Sequence, residues 1–233
     1  MLNALRLSAP SPRRPAPSCP APGRRSQAGV AMMELLLTVF ILLIGLLGLA
    51  ALQVKVSNAN LESYQRAQAL VLLDDMVEKF SSSRKIAGCF AFTTDSTNGR
   101  PYLGQPAAAS DSNLKDVSTI AAVNCASGAT GGTGVSSVDD RAQVELASWD
   151  RALKGVSETL SSAQVGAIQG ARGCIASATS TDGTGMTVYT FAVAWQGAGP
   201  GVAPSNACAT GTYGSDDTFR RVVWTTVRVA TLI

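Results

Sequence analysis

Few side chains in this sequence could take part in catalysis or metal binding, and their types limit which reactions and sites are possible. The sequence contains no histidine, which excludes a histidine-dependent catalytic triad and a histidine-rich metal site. The adjacent acids Asp139-Asp140 and Asp216-Asp217 do not by adjacency place two carboxylates across a substrate. Solvation or a bound cation accounts for them plainly. The sequence therefore predicts no catalytic residue, no cofactor and no dedicated metal site, and we expect a protein that is not an enzyme.

One carboxylate stands in an unusual place. Glu34 directly precedes Leu35–Leu52, a stretch without charge and apolar apart from Thr38. As a helix at about 1.5 Å per residue this stretch covers roughly 27 Å, close to the thickness of a hydrocarbon core. A carboxylate near the membrane is costly without a partner. Cleavage after Gly29 would give Val30 an α-amino group that could pair with Glu34, within one chain or between chains. Snorkelling of Glu34 to the headgroups is the alternative.

The five cysteines lie on both sides of the apolar run. Cys19 precedes the apolar run, and four others follow it: Cys89, Cys125, Cys174 and Cys208. An even four, widely spaced in an exported domain and without a C-x-x-C pair, favours two disulfides over zinc or redox chemistry. We predict Cys89–Cys125 and Cys174–Cys208, each closing a loop of about 35 residues. Crossed pairings stay open, because sequence separation does not place Cα atoms within bonding distance.

The pattern of Gly29, four residues, Glu34 and an apolar run resembles the class III signal of type IV pilins and type II secretion pseudopilins. The continuation from Gly45 to Gln53 is more narrowly similar to the PilV family of minor pilins. The resemblance implies cleavage after Gly29 by a prepilin peptidase and N-methylation of Val30. It implies that Glu34 docks against the amino terminus of a neighbouring subunit. The implied partners are other minor pilins, the major pilin and the inner-membrane pilus assembly platform.

The charge distribution fits this organisation. Residues 1–29 are rich in proline and hold five arginines and no acid, which leaves 14 cations against 16 acids in the rest of the chain. The overall charge of +3 therefore belongs to the first segment and gives no reason to infer nucleic-acid binding. The positive-inside rule holds this segment in the cytoplasm. We predict that 1–29 is a removed leader peptide.

The leader is followed by a predicted helix of about fifty residues, from Val30 to about Ser83, which contains no proline. Residues 30–53 form its transmembrane and assembly part, and residues 54–83 form its amphipathic part. Apolar residues at helical spacing give this second part a stripe for packing on a head. They are Ala69, Leu70, Leu73, Met76, Val77 and Phe80. Residues 84–233 form the predicted periplasmic globular head.

The head is expected to begin with loops and short extended pieces over 84–135. The Gly-rich stretch 127–134 lacks the Lys-Ser/Thr ending of a phosphate-binding Walker motif and is a predicted loop. A second helix is predicted over Val138–Leu160, capped by Ser137. Trp149, on its apolar face, is expected to pack on the head and not to bind a ligand.

The C-terminal part is predicted to be β-structure. Cys174–Ala178 and Met186–Trp195 form a hairpin, and Arg220–Val229 forms the last strand. Alternation places four residues of the second strand on one face of the sheet. They are Tyr189, Phe191, Val193 and Trp195. We expect the apolar stripe of the long helix to pack against this face.

This order of elements resembles the type IV pilin fold, an α+β fold with a long N-terminal helix packed on a C-terminal antiparallel sheet. Ala194-Trp195-Gln196, Cys208 and Arg220–Val223 are also similar to the PilV family. The expected function is that of a non-catalytic minor pilin in the inner membrane and the pilus. A minor pseudopilin of a type II secretion system is the alternative, and a membrane-tethered periplasmic enzyme is disfavoured.

Overall fold

The computed structural model describes residues 30–107, 111–115, 117, 136–156, 159–160, 163–164, 168–181, 183, 185–214 and 216–230. The helices are α1 (Val30–Ser82), a 3-10 helix (Arg84–Phe90) and α2 (Ser136–Lys154). The strands are β1 (Leu103–Gly104), β2 (Thr159–Leu160), β3 (Ala163–Gln164), β4 (Arg172–Thr179), β5 (Thr187–Gln196) and β6 (Arg220–Val229). The chain divides into two compact units, Met1–Leu52 and Gln53–Ile233. The predicted leader, with Cys19 and Gly29, lies outside the described residues.

Helix α1 is 53 residues long, which confirms the prediction of one long helix. It forms because no proline removes a backbone donor between Val30 and Ser82. Its end is marked by local bonds in which Ser82 Oγ donates to the Lys79 carbonyl at 2.7 Å and the Ser83 N–H donates to the Phe80 carbonyl at 2.9 Å. The 3-10 helix follows directly.

The apolar stripe of α1 within Gln53–Ile233 packs against the sheet. Its buried members are Ala69, Leu73, Met76 and Phe80, and Val77 is half-buried. The ring centroid of Phe80 lies 4.8 Å from that of Tyr189 and 4.9 Å from that of Phe191. These contacts confirm that the apolar stripe of α1 packs against the alternating face of β5. Leu70, a predicted member of the stripe, is 42% exposed, because it lies on the flank of the buried face.

Four strands form an antiparallel sheet in the order β1-β4-β5-β6. The predicted hairpin is confirmed as β4 and β5, with Cys174 opposite Ala192. The last strand occupies its predicted bounds and pairs with β5. The long helix and this sheet confirm the α+β layout.

Helix α2 ends earlier than predicted. It stops at Lys154, and Gly155 adopts a left-handed backbone with φ 70°. The Gly155 N–H donates to the Ala152 carbonyl and the Val156 N–H to the Arg151 carbonyl, the two bonds of a Schellman cap.

The two ends of this helix correct two further predictions. Leu160 lies in β2, because the cap at Gly155 ends the helical spacing before that residue. The helix begins at Ser136, so Ser137 lies inside its first turn and does not precede it as a cap.

Trp149 fixes α2 to the rest of the head, as expected. Its side chain is fully buried, and its Nε1 donates to the Leu72 carbonyl at 2.9 Å. The ring lies under Gly173, where a Cβ atom would come within 2.3 Å of it. Asp150, also buried, accepts a hydrogen bond from the Gly104 N–H at 2.9 Å. The second helix is therefore tied to both β1 and β4.

The other face of the sheet carries a second, smaller apolar cluster. Its buried members are Tyr102, Cys174, Ala192, Ala194, Cys208, Ala209 and Tyr213. Trp224 stands on the same face, opposite Ala192, yet it is 54% exposed because β6 is the last strand in the described sheet. In the predicted loop region, the described residues form the 3-10 helix and β1. The Gly-rich stretch 127–134 lies outside them.

Candidate functional site

The first turns of α1 hold the residues that sequence reasoning singled out. The helix begins at Val30, the residue that would follow the predicted cut, and Glu34 lies one turn later with its side chain exposed. Gly29 lies outside the described residues, so cleavage and methylation remain predictions. The structure thus places Val30 and Glu34 on consecutive turns of one helix.

The apolar part of this helix is uncovered on every side. Every large apolar side chain from Met32 to Leu52 is exposed, with Met33 and Leu47 each at 76% and Val39, the least exposed, at 52%. A surface helix of a soluble domain has only one apolar stripe, whereas a helix apolar all round must be covered by lipid or by other apolar helices. The helix is long and apolar enough to span a membrane.

The polar side chains of this segment differ in whether they have a hydrogen-bond partner. The Thr38 hydroxyl donates to the Leu35 carbonyl at 2.9 Å, so it is satisfied inside the helix. Glu34 has no ion-pair or hydrogen-bond partner among the described residues. A carboxylate on an otherwise apolar helix needs a cation or donors when water is removed. Glu34 is therefore the group in this segment that calls for a partner from outside it.

Gly45 and Gly48 interrupt the apolar surface with two gaps. A Cβ atom built on either would meet nothing within 4 Å. Glycine here leaves room for close approach of another helix, although the spacing of three does not match a GxxxG motif.

Of the adjacent acids of the head, Asp216 and Asp217 lie in different environments. Asp217 is buried, accepts hydrogen bonds from the Gly211 N–H at 2.9 Å and lies 3.2 Å from Arg220 Nε. Asp216, its neighbour, is exposed. The side chains of Asp139 and Asp140 lie outside the described part of the chain. Asp217 thus holds a turn before β6 through its bonds to Gly211 and Arg220.

One of the two predicted disulfides is confirmed. Cys174 and Cys208 are bonded, with Cα atoms 5.8 Å apart, and the bond ties β4 to the loop before β6. Cys89 is also disulfide-bonded. Its predicted partner, Cys125, lies outside the described residues, so that pairing stays a prediction.

Sequence reasoning missed a buried cation on the outer face of the sheet, the face that carries the second apolar cluster and lies on the side away from α1. The Arg172 guanidinium carbon lies 4.4 Å from the ring centroid of Tyr213 and 5.4 Å from that of Tyr102. Its Nε donates to the Gln105 carbonyl and its Nη1 to Thr212 Oγ1, both at 3.0 Å. Such a stacked and hydrogen-bonded guanidinium stabilises the loops around it.

The electrostatics of this cluster are consistent with a structural role. Burial, together with a hydrogen bond to Asp111, raises the pKa of Tyr102 to about 12. Burial raises the pKa of Tyr213 as well. Burial opposes ionisation of Asp111, but hydrogen bonds from Tyr102 and from the N–H groups of Ala107 and Asn113 outweigh it and lower its pKa. Both tyrosines therefore stay neutral donors at ordinary pH, which suits packing and not acid–base chemistry.

The paired arginines at the start of β6 also hold structure together. Arg220 donates to the carbonyls of Pro204, Asn206 and Cys208. Arg221 donates to Glu62 of α1 and to the Gly199 carbonyl. Because neighbours in a strand point to opposite faces, this pair of cations was the signal in the sequence for two separate anchoring roles.

The described residues contain no group of three or more metal-ligating side chains. Comparison with protein-family models, with curated proteins and with solved structures finds no match to this chain.

Proposed function

We propose that this chain is a minor type IV pilin, a non-catalytic subunit that enters a pilus, or primes its assembly, through its N-terminal helix. The observation that carries the proposal is the uncovered, all-round apolar helix from Met32 to Leu52 with the exposed Glu34 near its start. The resemblance of Gly29–Glu34 to the class III signal supports the same assignment. Before assembly the subunit resides in the inner membrane with its head in the periplasm.

The mechanism follows from the solvent that each state offers the helix. In a bilayer, the backbone groups are bonded within the helix and the side chains contact lipid. In a filament, other helices must cover the same surface, because a free span would aggregate in water. The exchange of lipid for protein contacts is nearly neutral in hydrophobic terms. A specific contact must therefore direct entry, and Glu34, paired with the α-amino group of a neighbouring subunit, provides it.

A minor pseudopilin of a type II secretion system would use the same helix. The similarity of Ala194-Trp195-Gln196 and Arg220–Val223 to the PilV family favours the pilus. Co-purification distinguishes the two: pilus-assembly proteins are expected with the membrane-extracted chain, and secretion proteins would support the alternative.

Processing is the first test of the proposal. Intact-mass measurement and N-terminal sequencing of the membrane-extracted protein should give a chain that starts at methylated Val30. Gly29→Leu should block the cut, because a bulky side chain then occupies the position before the scissile bond. A mature wild-type protein that retains Arg24 and Arg25 would contradict the proposal.

The role of Glu34 is the second test. Glu34→Leu should leave cleavage and membrane insertion intact but reduce the amount of the subunit in sheared filaments. Glu78→Leu is the matched control, since Glu78 is an exposed residue of the same helix within Gln53–Ile233. Equal filament entry for the two variants would show that Glu34 does not dock subunits.

A further inference from the structure

We infer that the groove beside the C-terminal end of α1 binds a phosphate group. The groove encloses about 440 Å³. Its lining residues are Ser81, Ser82, Ser83, Arg84, Lys85, Ile86 and Arg141. All of them belong to the compact unit Gln53–Ile233. The site is therefore independent of how the N-terminal segment is processed or assembled.

One residue that lines the groove has a buried hydroxyl without a partner among the described residues. Ser83 is 6% exposed, and its Oγ atom makes no hydrogen bond with any residue that the structure describes. Its neighbour Ser82 differs, because its hydroxyl donates to the Lys79 carbonyl. Buried polar groups are nearly always hydrogen-bonded, so an unsatisfied hydroxyl in a groove indicates a missing partner. An acceptor oxygen in the groove would satisfy Ser83.

The charges of the lining residues indicate what kind of acceptor the groove would bind. The lining residues that the structure describes include the cations Arg84, Lys85 and Arg141 and no acid. None of the three has a carboxylate within ion-pair distance among the described residues. Glu145, the acid one turn after Arg141 on α2, lies instead 3.9 Å from Lys79. Three cations beside a hydroxyl, with no carboxylate partner in the described part of the chain, are complementary to an anion.

The helix end opposes an anion but does not outweigh the cations. The C-terminus of a helix carries roughly half a negative charge, whereas the three side chains carry three full positive charges. Guanidinium groups match the oxygens of phosphate in a bidentate fork, and serine hydroxyls donate to the same oxygens. The chemistry of the donor set therefore fits a phosphate group, either as the free ion or as a phosphate monoester.

The test titrates the full processed chain in neutral detergent with inorganic phosphate. Calorimetry at low and constant ionic strength measures the affinity, and we expect saturable binding of one phosphate per chain. Arg141→Gln should weaken binding by roughly tenfold, because a charge-assisted hydrogen bond contributes on that scale. Arg141 is exposed, so its replacement does not disturb the core. Arg66→Gln is the matched control, since Arg66 is an exposed cation of α1 outside the groove.

Ser83→Ala separates a built site from general attraction. We expect it to weaken phosphate binding severalfold, whereas Ser63→Ala, elsewhere on α1, should have no effect. A parallel titration with glycerol 3-phosphate identifies the source of the group: tighter binding than free phosphate assigns a monoester, and weaker binding assigns the free ion. Non-saturable binding, equal losses in Arg141→Gln and Arg66→Gln, or unchanged affinity in Ser83→Ala would each overturn the inference.

Discussion

The contact between Gly173 and Trp149 predicts a large effect from the smallest substitution. A methyl group on Gly173 would lie 2.3 Å and 2.6 Å from two carbons of the Trp149 ring, and 2.8 Å from a Leu153 methyl carbon. All three separations are far below normal carbon–carbon contact distances. The ring cannot swing away freely, because its Nε1 is bonded to the Leu72 carbonyl. In Gly173→Ala, either the strand or α2 must therefore move.

The cost can be estimated from these contacts. Overpacking a filled core costs about 1–3 kcal/mol, and a weakened Trp149 hydrogen bond adds about 0.5–1.5 kcal/mol. The expected loss in the free energy of unfolding is thus about 1.5–4.5 kcal/mol. For a unit of this size, each kcal/mol lowers the melting temperature by about 2–4 °C. We expect Gly173→Ala to melt about 3–18 °C below the wild type.

Thermal unfolding followed by circular dichroism measures this difference in the detergent-solubilised chain. Gly88→Ala is the matched control, because nothing lies within 4 Å of a Cβ at Gly88, and it should change stability little. A double-mutant cycle with Trp149→Phe, whose ring is smaller, should recover part of the loss. If Gly173→Ala and Gly88→Ala have the same melting temperature, the packing argument is refuted.

Three further predictions concern the head. Because the folded-state pKa of Tyr102 is raised from 10.0 to about 12, its contribution to stability is present below pH 10 and falls as the pH rises toward 12; Tyr102→Phe should flatten that part of a pH–stability curve. Non-reducing peptide mapping should link Cys89 to Cys125, and any other partner for Cys89 would refute the pairing. Glu62→Gln should cost less than about 1 kcal/mol, because Glu62 is 40% exposed. Arg221→Gln should cost more by denaturant unfolding, since Arg221 also binds two loop carbonyls, of Thr218 and Gly199; equal losses would contradict this.

Patterns that repeat along the chain predicted most of the fold. The proline-free run predicted α1, alternation in β5 predicted its buried face, and two strand patterns around a turn-rich stretch predicted the hairpin of β4 with β5. The error at the end of α2 arose from a local signal. Apolar residues continue at helical spacing beyond Gly155, but the left-handed conformation of that glycine ends the helix. A single Gly outweighed the periodicity because it allows the cap that satisfies the last carbonyls.

Features that depend on distant residues were not predictable in this way. Arg172 lies between Tyr102 and Tyr213, which are 70 and 41 positions away in the sequence. Nothing in the local sequence of β4 indicates these rings, because only sheet pairing and loop closure bring them together. At the N-terminal segment the situation is reversed. Val30 and Glu34 are close in sequence and lie on one helix, so their relation was readable directly, whereas the partners proposed for them belong to other molecules.

The unequal exposure of the three tryptophans gives the head a spectroscopic reporter of its own. Trp149 and Trp195 are buried, whereas Trp224 is half open to water on the outer face of β6. Acrylamide should therefore quench one red-shifted component of the emission and spare the other two rings. A neighbour that covered this face would shift the accessible component to the blue and protect it from the quencher. Fluorescence of the unlabelled protein can thus report when the outer edge of the sheet becomes occupied.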